Sequence, residues 1–212
     1  MLPTAKLSRS ALLGTAAALI GSASPPGAAI AAKFHVLHSF AGRDGAYPER
    51  GAPVVDSAGT VYGATYGGGP SHQGVVFKLT ADGTETILHL FGGTDGANPN
   101  GGVLYDESSG VIYGTTQRGG PIQNCRRAGC GVLYSLTPDG NYTVLHSFRE
   151  AKDGAEPLDA PVRDAEGNLY GVAFTGGRMS PSYGTVWKQA SNGAFVVLHV
   201  FDYTDGAWPS DP

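Results

Sequence analysis

The sequence is poor in charged residues, and the charge that it carries is not basic. Charged residues make up 15 % of the 212 residues, and 14 Lys and Arg stand against 18 Asp and Glu, so the formal net charge is −4. Proteins that hold nucleic acid or anionic lipid through charge alone need a basic surface. The composition therefore argues against nucleic acid as a partner.

Long hydrophobic runs are also missing. The one clear apolar stretch, residues 11–20, covers about ten residues, whereas a helix needs about 20 to cross a bilayer. It follows Lys6 and Arg9 and precedes small residues that end at Ala31, an order typical of a signal peptide. We predict a signal peptide over residues 1–31, and a product that is secreted, periplasmic or held at the cell surface without a membrane span. A retained membrane helix is the weaker alternative.

Cysteine is scarce as well, since only Cys125 and Cys130 occur, in a hydrophilic insertion. In an oxidising compartment a close pair in a loop forms a disulfide by default. The alternatives are a metal site, which normally needs four ligands, and a redox motif, which normally has two intervening residues. This pair has four, so a disulfide is predicted.

Glycine and proline are abundant, at 33 and 14 residues, and they recur at the turns of a sequence repeat. A Leu-His-x-Phe peptide occurs four times, with its histidines 51, 57 and 53 residues apart, and each copy precedes an Asp-Gly-Ala-x-Pro turn. The repeated residues are His38, His89, His146 and His199, with Asp44, Asp95, Asp153 and Asp205. Within a repeat domain over residues 32–212, the repeats cover residues 36–86, 87–143 and 144–196, with a partial fourth over 197–212.

Each repeat predicts four short strands. In the first, runs rich in Val, Ile, Tyr and Thr lie near residues 52–55, 60–65, 75–79 and 86–91. The pair Asp82-Gly83 is typical of a hairpin turn between the last two. A period near 50 with four strands is the size of a propeller blade. We expect an all-β, β-propeller-like array of three four-stranded antiparallel blades that forms an incomplete, open propeller, preceded by a lone strand near residues 34–40.

The combined pattern of Leu-His-x-Phe, Asp-Gly-Ala-x-Pro, Tyr-Gly-x-Thr, Gly-Gly and Gly-x-hydrophobic-Phe resembles the GloVer tandem repeat of exported bacterial proteins, the choice-of-anchor family. The resemblance covers residues 34–212 and implies a secreted β-propeller-type repeat protein without an established activity. The sequence stops inside the fourth repeat. From this we expect a fragment or an early-terminated member whose open blade edges favour self-association.

The repeated His and Asp residues could form a metal or calcium site. Copies related by blade symmetry lie far apart unless they line a central channel, and each turn offers a single carboxylate. We therefore predict structural histidines on faces between blades and aspartates that cap turns. The sequence also lacks a phosphate-binding loop, a Gly-x-Ser-x-Gly elbow and a His-Glu-x-x-His motif. No catalytic residue, metal site or cofactor is predicted.

Residues that differ between the copies are the better candidates for binding. The residue before the turn proline is Tyr47, Asn98, Glu156 or Trp208, and the loops after the Tyr-Gly strands carry Tyr66, His72, Gln117, Arg118 and Arg178. Variable loops on a repeated scaffold often bind ligands, and they also tolerate drift. Our predicted ligand-binding residues are Tyr47, Tyr66, Gln117, Arg118, Arg178 and Trp208.

These residues indicate a non-catalytic binding or structural module, with a polysaccharide or another exported protein as its partner. The alternative is an exported carbohydrate-active enzyme, a hydrolase or lyase, built on the same scaffold. An enzyme of that kind would need a carboxylate or histidine cluster that occurs in a single blade.

Overall fold

A computed structural model describes residues 34–121, 125, 128–177 and 182–210. The predicted signal peptide and Arg178 lie outside the described residues. The chain divides into a unit over residues 1–35 and a unit over residues 36–212, and the strands of the described residues belong to the second. In the described part of the chain, no helix has the length and apolar character needed to span a bilayer.

The strands of the described residues form three four-stranded antiparallel sheets, here called blades, each with its strands in chain order. The first contains β1 (Val54–Val55), β2 (Val61–Thr65), β3 (Val75–Leu79) and β4 (Glu85–Leu90). The second contains β5 (Leu104–Asp106), β6 (Val111–Thr116), β7 (Val132–Leu136) and β8 (Tyr142–Ser147). The third contains β9 (Val162–Arg163), β10 (Leu169–Ala173), β11 (Thr185–Gln189) and β12 (Phe195–Val200). The predicted all-β, propeller-like fold is confirmed.

The Asp-Gly hairpin between the third and fourth strands forms as the sequence indicates. Gly83 has a φ of 84°, a left-handed conformation that glycine adopts without steric cost. Its amide donates to the Thr80 carbonyl at 2.8 Å. The Thr80 hydroxyl in turn donates to Asp82 Oδ1 at 2.5 Å, which fixes the turn. The neighbouring strands β3 and β4 are thereby held in register.

The glycine of each Tyr-Gly strand makes room for a large ring. Gly63, Gly114 and Gly171 pair across the sheet with Phe77, Tyr134 and Trp187, respectively. A Cβ at any of these glycines would lie closer than 3.0 Å to the facing ring. A register shift immediately precedes each aromatic residue in its pairing with the fourth strand, and such bulges redirect side chains. The three rings are buried.

The phenylalanine of the Leu-His-x-Phe peptide that ends one blade packs against the next blade. Phe91 follows the first blade and meets Tyr134 of the second, with ring centroids 5.5 Å apart. Phe148 follows the second blade and meets Trp187 of the third at 5.7 Å. Both phenylalanines are buried within clusters that combine residues of adjacent blades. The repeated peptide therefore builds the core between blades.

The lone strand expected near residues 34–40 does not form. In the later copies this peptide is a fourth strand that pairs with the third strand of its own blade. In the described part of the chain, residues 34–40 form no such strand pairing. Phe40 nevertheless contacts Phe77 of the first blade at 5.0 Å, as its counterparts do.

The predicted disulfide is confirmed. Cys125 and Cys130 are bonded, with their Cα atoms 5.5 Å apart. Cys130 is buried in the cluster between the second and third blades, and Cys125 packs against that cluster. The bridge therefore ties the long loop of the second blade to the core.

Candidate functional site

Each repeated histidine is bonded to the aspartate of the following turn. The Nε2–Oδ2 distances are 3.1, 2.9, 3.1 and 2.8 Å in the four repeats. The pairs are His38 with Asp44, His89 with Asp95, His146 with Asp153, and His199 with Asp205. The second carboxylate oxygen accepts a backbone amide at the start of the turn, as from Gly92 to Asp95 Oδ1 at 2.8 Å. These bonds shape the turn.

The histidines also lie between blades. His89 stacks on Tyr142 with ring centroids 3.8 Å apart, and His146 stacks on Phe195 at 3.5 Å. Burial lowers the pKa of His89, against the opposing effect of its bond to Asp95. Burial would raise the pKa of Asp153, but hydrogen bonds from His146 and the Arg149 amide lower it below its ordinary value.

The residue before each turn proline has a left-handed backbone. Its φ is 59° at Tyr47, 54° at Asn98, 56° at Glu156 and 52° at Trp208. Side chains other than Gly, Asn and Asp are disfavoured in this conformation by roughly 1–2 kcal/mol, so the strain falls on Tyr47, Glu156 and Trp208. The chain contains 33 glycines, yet none occupies this position in any copy. The position therefore holds a side chain despite backbone strain.

These residues bond to the loops that follow the second strands. Within a repeat, the Tyr66 amide donates to the Tyr47 carbonyl at 3.1 Å, and the Gln117 amide donates to the Asn98 carbonyl at 3.0 Å. The same geometry links Phe174 to Glu156 at 3.1 Å. We call this set the turn row; its members are Tyr47, Tyr66, Asn98, Gln117, Glu156, Phe174 and Trp208.

Side chains connect the turn row from one repeat to the next. Asn98 Nδ2 donates to the Tyr66 carbonyl at 3.0 Å, and Gln117 Nε2 donates to Glu156 Oε2 at 3.3 Å. At the far end, the Trp208 ring lies 5.7 Å from the ring of Tyr183. The row thus crosses all three blades and presents aromatic rings at its two ends, with Tyr47 63 % and Trp208 48 % exposed.

The predicted ligand-binding residues divide into three groups. The structure places Tyr47, Tyr66, Gln117 and Trp208 in the turn row. The Arg118 side chain is exposed, while its backbone pairs with Ala97 and anchors the turn. Arg178 lies outside the described residues. Asn98 and Glu156 were visible in the sequence as variable positions, but their contacts with the loops of the preceding blade were not.

A cleft of about 790 Å³ lies where the segments after the turn prolines approach one another. It is lined by residues 49–52, 100–101 and 158–160, with further residues that include Ser210. The Ala160 amide donates to the Gly101 carbonyl at 3.0 Å, which holds two of these segments together. Asn100 Oδ1 is buried there, and within the described part of the chain it has no hydrogen-bond partner. Sequence reasoning missed this cleft, whose only signal was variation directly after each turn proline.

Arg50 connects the cleft with the turn row. It lines the cleft, and its guanidinium lies 4.9 Å from the centre of the Tyr66 ring. Glu49 and Asp159 add carboxylates to the cleft, and Ser210 adds a hydroxyl. Charged groups of both signs and a hydroxyl group therefore line the cleft, close to the aromatic rings of the turn row. Such a surface suits a ligand that has many hydroxyl groups and an apolar face.

A model of the Gloeobacter/Verrucomicrobia repeat matches residues 24–212. No curated protein matches the chain. A solved luciferin-regenerating enzyme is 19 % identical with a TM-score of 0.42, and the match covers 71 % of this chain and 45 % of that one. A gluconolactonase from Xanthomonas campestris is 16 % identical with a TM-score of 0.35, and the match covers 73 % of this chain and 62 % of that one. This chain thus spans less than two thirds of either structure.

Proposed function

The chain belongs to the Gloeobacter/Verrucomicrobia repeat family, and on that repeat scaffold we propose a non-catalytic module that binds a neutral polysaccharide along the turn row. The observation that carries this proposal is the left-handed backbone of four non-glycine residues at one repeat position. Strain of this kind is retained where the side chain has a use. The proposal includes export, in keeping with the Cys125–Cys130 disulfide.

The side chains of the turn row match the chemistry of a sugar polymer. Exposed rings at Tyr47 and Trp208 offer flat apolar faces for the C–H faces of sugar rings. The amides of Asn98 and Gln117 and the carboxylate of Glu156 offer planar hydrogen-bonding groups for hydroxyls. An extended polymer can contact several repeats at once, which multiplies weak contacts into useful affinity.

The nearby charges favour a neutral ligand over an anionic or cationic one. Arg50 is positive, Glu156 and Glu49 are negative, and the whole chain carries a formal net charge of −4. A strongly anionic polymer would meet the two carboxylates, and a cationic one would meet Arg50. Neutral hydroxyl groups can bond both kinds of side chain without a charge penalty.

Binding can be tested with a panel of neutral and charged polysaccharides by affinity electrophoresis and calorimetry. We expect a neutral polymer to bind and Tyr47→Gly to weaken that binding by about tenfold or more, an effect equivalent to about 1.4 kcal/mol. Tyr47→Gly also relieves the left-handed strain, so its thermal stability should stay level or rise. Leu198→Ser is the matched control, since Leu198 is 52 % exposed on β12, outside the turn row.

The same panel tests the non-catalytic part of the proposal by product analysis. We expect no new reducing ends or unsaturated products from any polymer that binds. Turnover that Glu49→Gln or Asp159→Asn abolishes would identify an enzyme that uses the cleft carboxylates, and this result would overturn the proposal. Failure of every neutral polymer to bind would overturn it as well.

A further inference from the structure

Glu85 breaks a pattern of contacts that the other two blades share. Tyr142 and Phe195 begin the fourth strands of their blades, and each stacks on the histidine of the preceding Leu-His-x-Phe peptide. Glu85 occupies the equivalent position in the first blade. It pairs with Leu79 at the end of the third strand, as Tyr142 pairs with Leu136. The first blade therefore places a carboxylate where the others place a ring.

This carboxylate turns a His–Asp pair into a cluster of three ligands. His38 Nε2 lies 3.5 Å from Glu85 Oε2 and 3.1 Å from Asp44 Oδ2. One ligand atom from each residue lies within 4.8 Å of both others. The three side chains are 21 %, 24 % and 12 % exposed for His38, Asp44 and Glu85, so the cluster is mostly shielded and still open on one side.

Glu85 is also left incompletely satisfied. Its Oε1 atom is buried and has no hydrogen-bond partner among the residues that the structure describes. Buried polar atoms in folded proteins normally have a partner, so this oxygen is able to accept a further one.

We propose that His38, Asp44 and Glu85 form a binding site for a divalent transition metal ion, with Zn²⁺ as its best occupant. Zinc ligands at about 2.1 Å in tetrahedral geometry lie about 3.4 Å from one another, close to the Nε2–Oε2 and Nε2–Oδ2 separations. One imidazole and two carboxylates are ligands that Zn²⁺ accepts, and water completes its coordination. His38 binds through the Nε2 lone pair as its Nδ1–H tautomer.

The ion would fasten the first repeat peptide to the first blade. Residues 34–40 form no strand, and Val36 and Leu37 are exposed. The stacked ring that covers the histidine in the later blades is also missing here. A metal ion bound by His38, Asp44 and Glu85 would connect this peptide to strand β4, at the position where the later blades use a stacked ring.

Calorimetric titration of the tag-free protein with Zn²⁺ tests this site. We expect one equivalent to bind with a dissociation constant in the micromolar range, and Glu85→Gln, which keeps the side-chain shape, to weaken binding by about tenfold or more. His199→Ala is the matched control, because His199 and Asp205 form the same pair with no third ligand among the described residues. The affinity of His199→Ala for Zn²⁺ should equal that of the unmodified protein. Equal binding by Glu85→Gln, or no binding up to about 1 mM Zn²⁺, would overturn the site.

A second variant separates a metal ligand from a merely structural acid. Glu85→Tyr introduces the ring found at the equivalent position of the second blade, so the fold should persist. We expect Zn²⁺ to raise the melting temperature of the unmodified protein and to leave that of Glu85→Tyr unchanged. In the unmodified protein, Zn²⁺ should also shift the Nε2 resonance of His38 in ¹⁵N spectra. A zinc-dependent rise in Glu85→Tyr would place the ion elsewhere and refute the proposal.

Discussion

The ring of His146 lies flat on the ring of Phe195, with centroids 3.5 Å apart and planes inclined by 5°. His146 belongs to the last strand of the second blade, and Phe195 begins the last strand of the third. The same histidine bonds Asp153 through Nε2. One residue thus connects the edge of one blade, the following turn and the next blade. This threefold contact explains why the Leu-His-x-Phe peptide and the Asp-Gly-Ala-x-Pro turn recur together.

Phe148→Ala should strongly destabilise the contact between the second and third blades. Phe148 is 1 % exposed and contacts Trp187 and Phe195. Truncation of a buried phenylalanine costs about 3–5 kcal/mol through lost burial and the cavity left behind. Denaturant unfolding followed by tryptophan fluorescence measures the loss. Leu198→Ala, at a half-exposed site, should change the free energy of unfolding by less than about 1 kcal/mol, and an equal loss in both variants would contradict the inter-blade core.

His89 should titrate below the ordinary histidine value. Burial against Tyr142 disfavours the charged ring more than the bond to Asp95 favours it, so the pKa of His89 in the folded protein lies below the ordinary histidine value of 6.5. The unfolded chain then binds the proton more readily, and the contribution of His89 to stability declines as the pH falls below about 6.5.

Proton NMR of the His89 ring measures this titration directly. Tyr142→Ala uncovers the ring and should raise the pKa of His89, whereas Tyr142→Phe keeps the stacked ring and should leave burial of the imidazole intact. A folded-state pKa of His89 at or above the ordinary value would show that Asp95, not burial, dominates.

Asp153→Asn should remove part of the acid sensitivity of the fold. Burial alone would raise the pKa of Asp153, but bonds from His146 and the Arg149 amide lower it below 3.8. A lowered carboxyl pKa stabilises the fold above the unfolded value, and this contribution is lost as the pH falls through the folded pKa. Thermal unfolding at pH values from neutral to below about 3.8 should show that the variant loses less thermal stability on acidification than the unmodified protein. An unchanged pH profile would contradict the assignment.

Gly101→Ala should destabilise the cleft by overpacking. A Cβ at Gly101 would lie closer than 3.0 Å to the backbone of Asp159, which cannot move away as a side-chain tip can. Forced overpacking of this kind costs about 1–3 kcal/mol. Gly92→Ala is the matched control, because its Cβ would have its nearest atom at 3.5 Å, an ordinary contact. Equal stability of the two variants would show that the segments can separate without cost.

The strands, the hairpin turns and the disulfide could be predicted from the sequence because each depends on residues close together in the chain. Alternation of Val, Ile and Tyr runs with Gly and Asp determines strand and turn locally, as at Asp82-Gly83. The repeat itself supplied the number of blades, since the same local pattern returned at a regular spacing. The prediction of a lone strand near residues 34–40 was wrong, because strand-forming residues make a strand only when they pair with a neighbouring one.

Contacts between repeats were decided by the tertiary structure alone. The link from Gln117 to Glu156 and the closeness of Glu85 to His38 join residues 39 and 47 positions apart. Only the packing of successive blades brings such residues together. The sequence by itself determined which residues build each blade and its turns, because these depend on local backbone preference. Local patterns do not encode the three-dimensional register between blades. That register decides which variable side chains share a surface and where a carboxylate replaces a stacked ring.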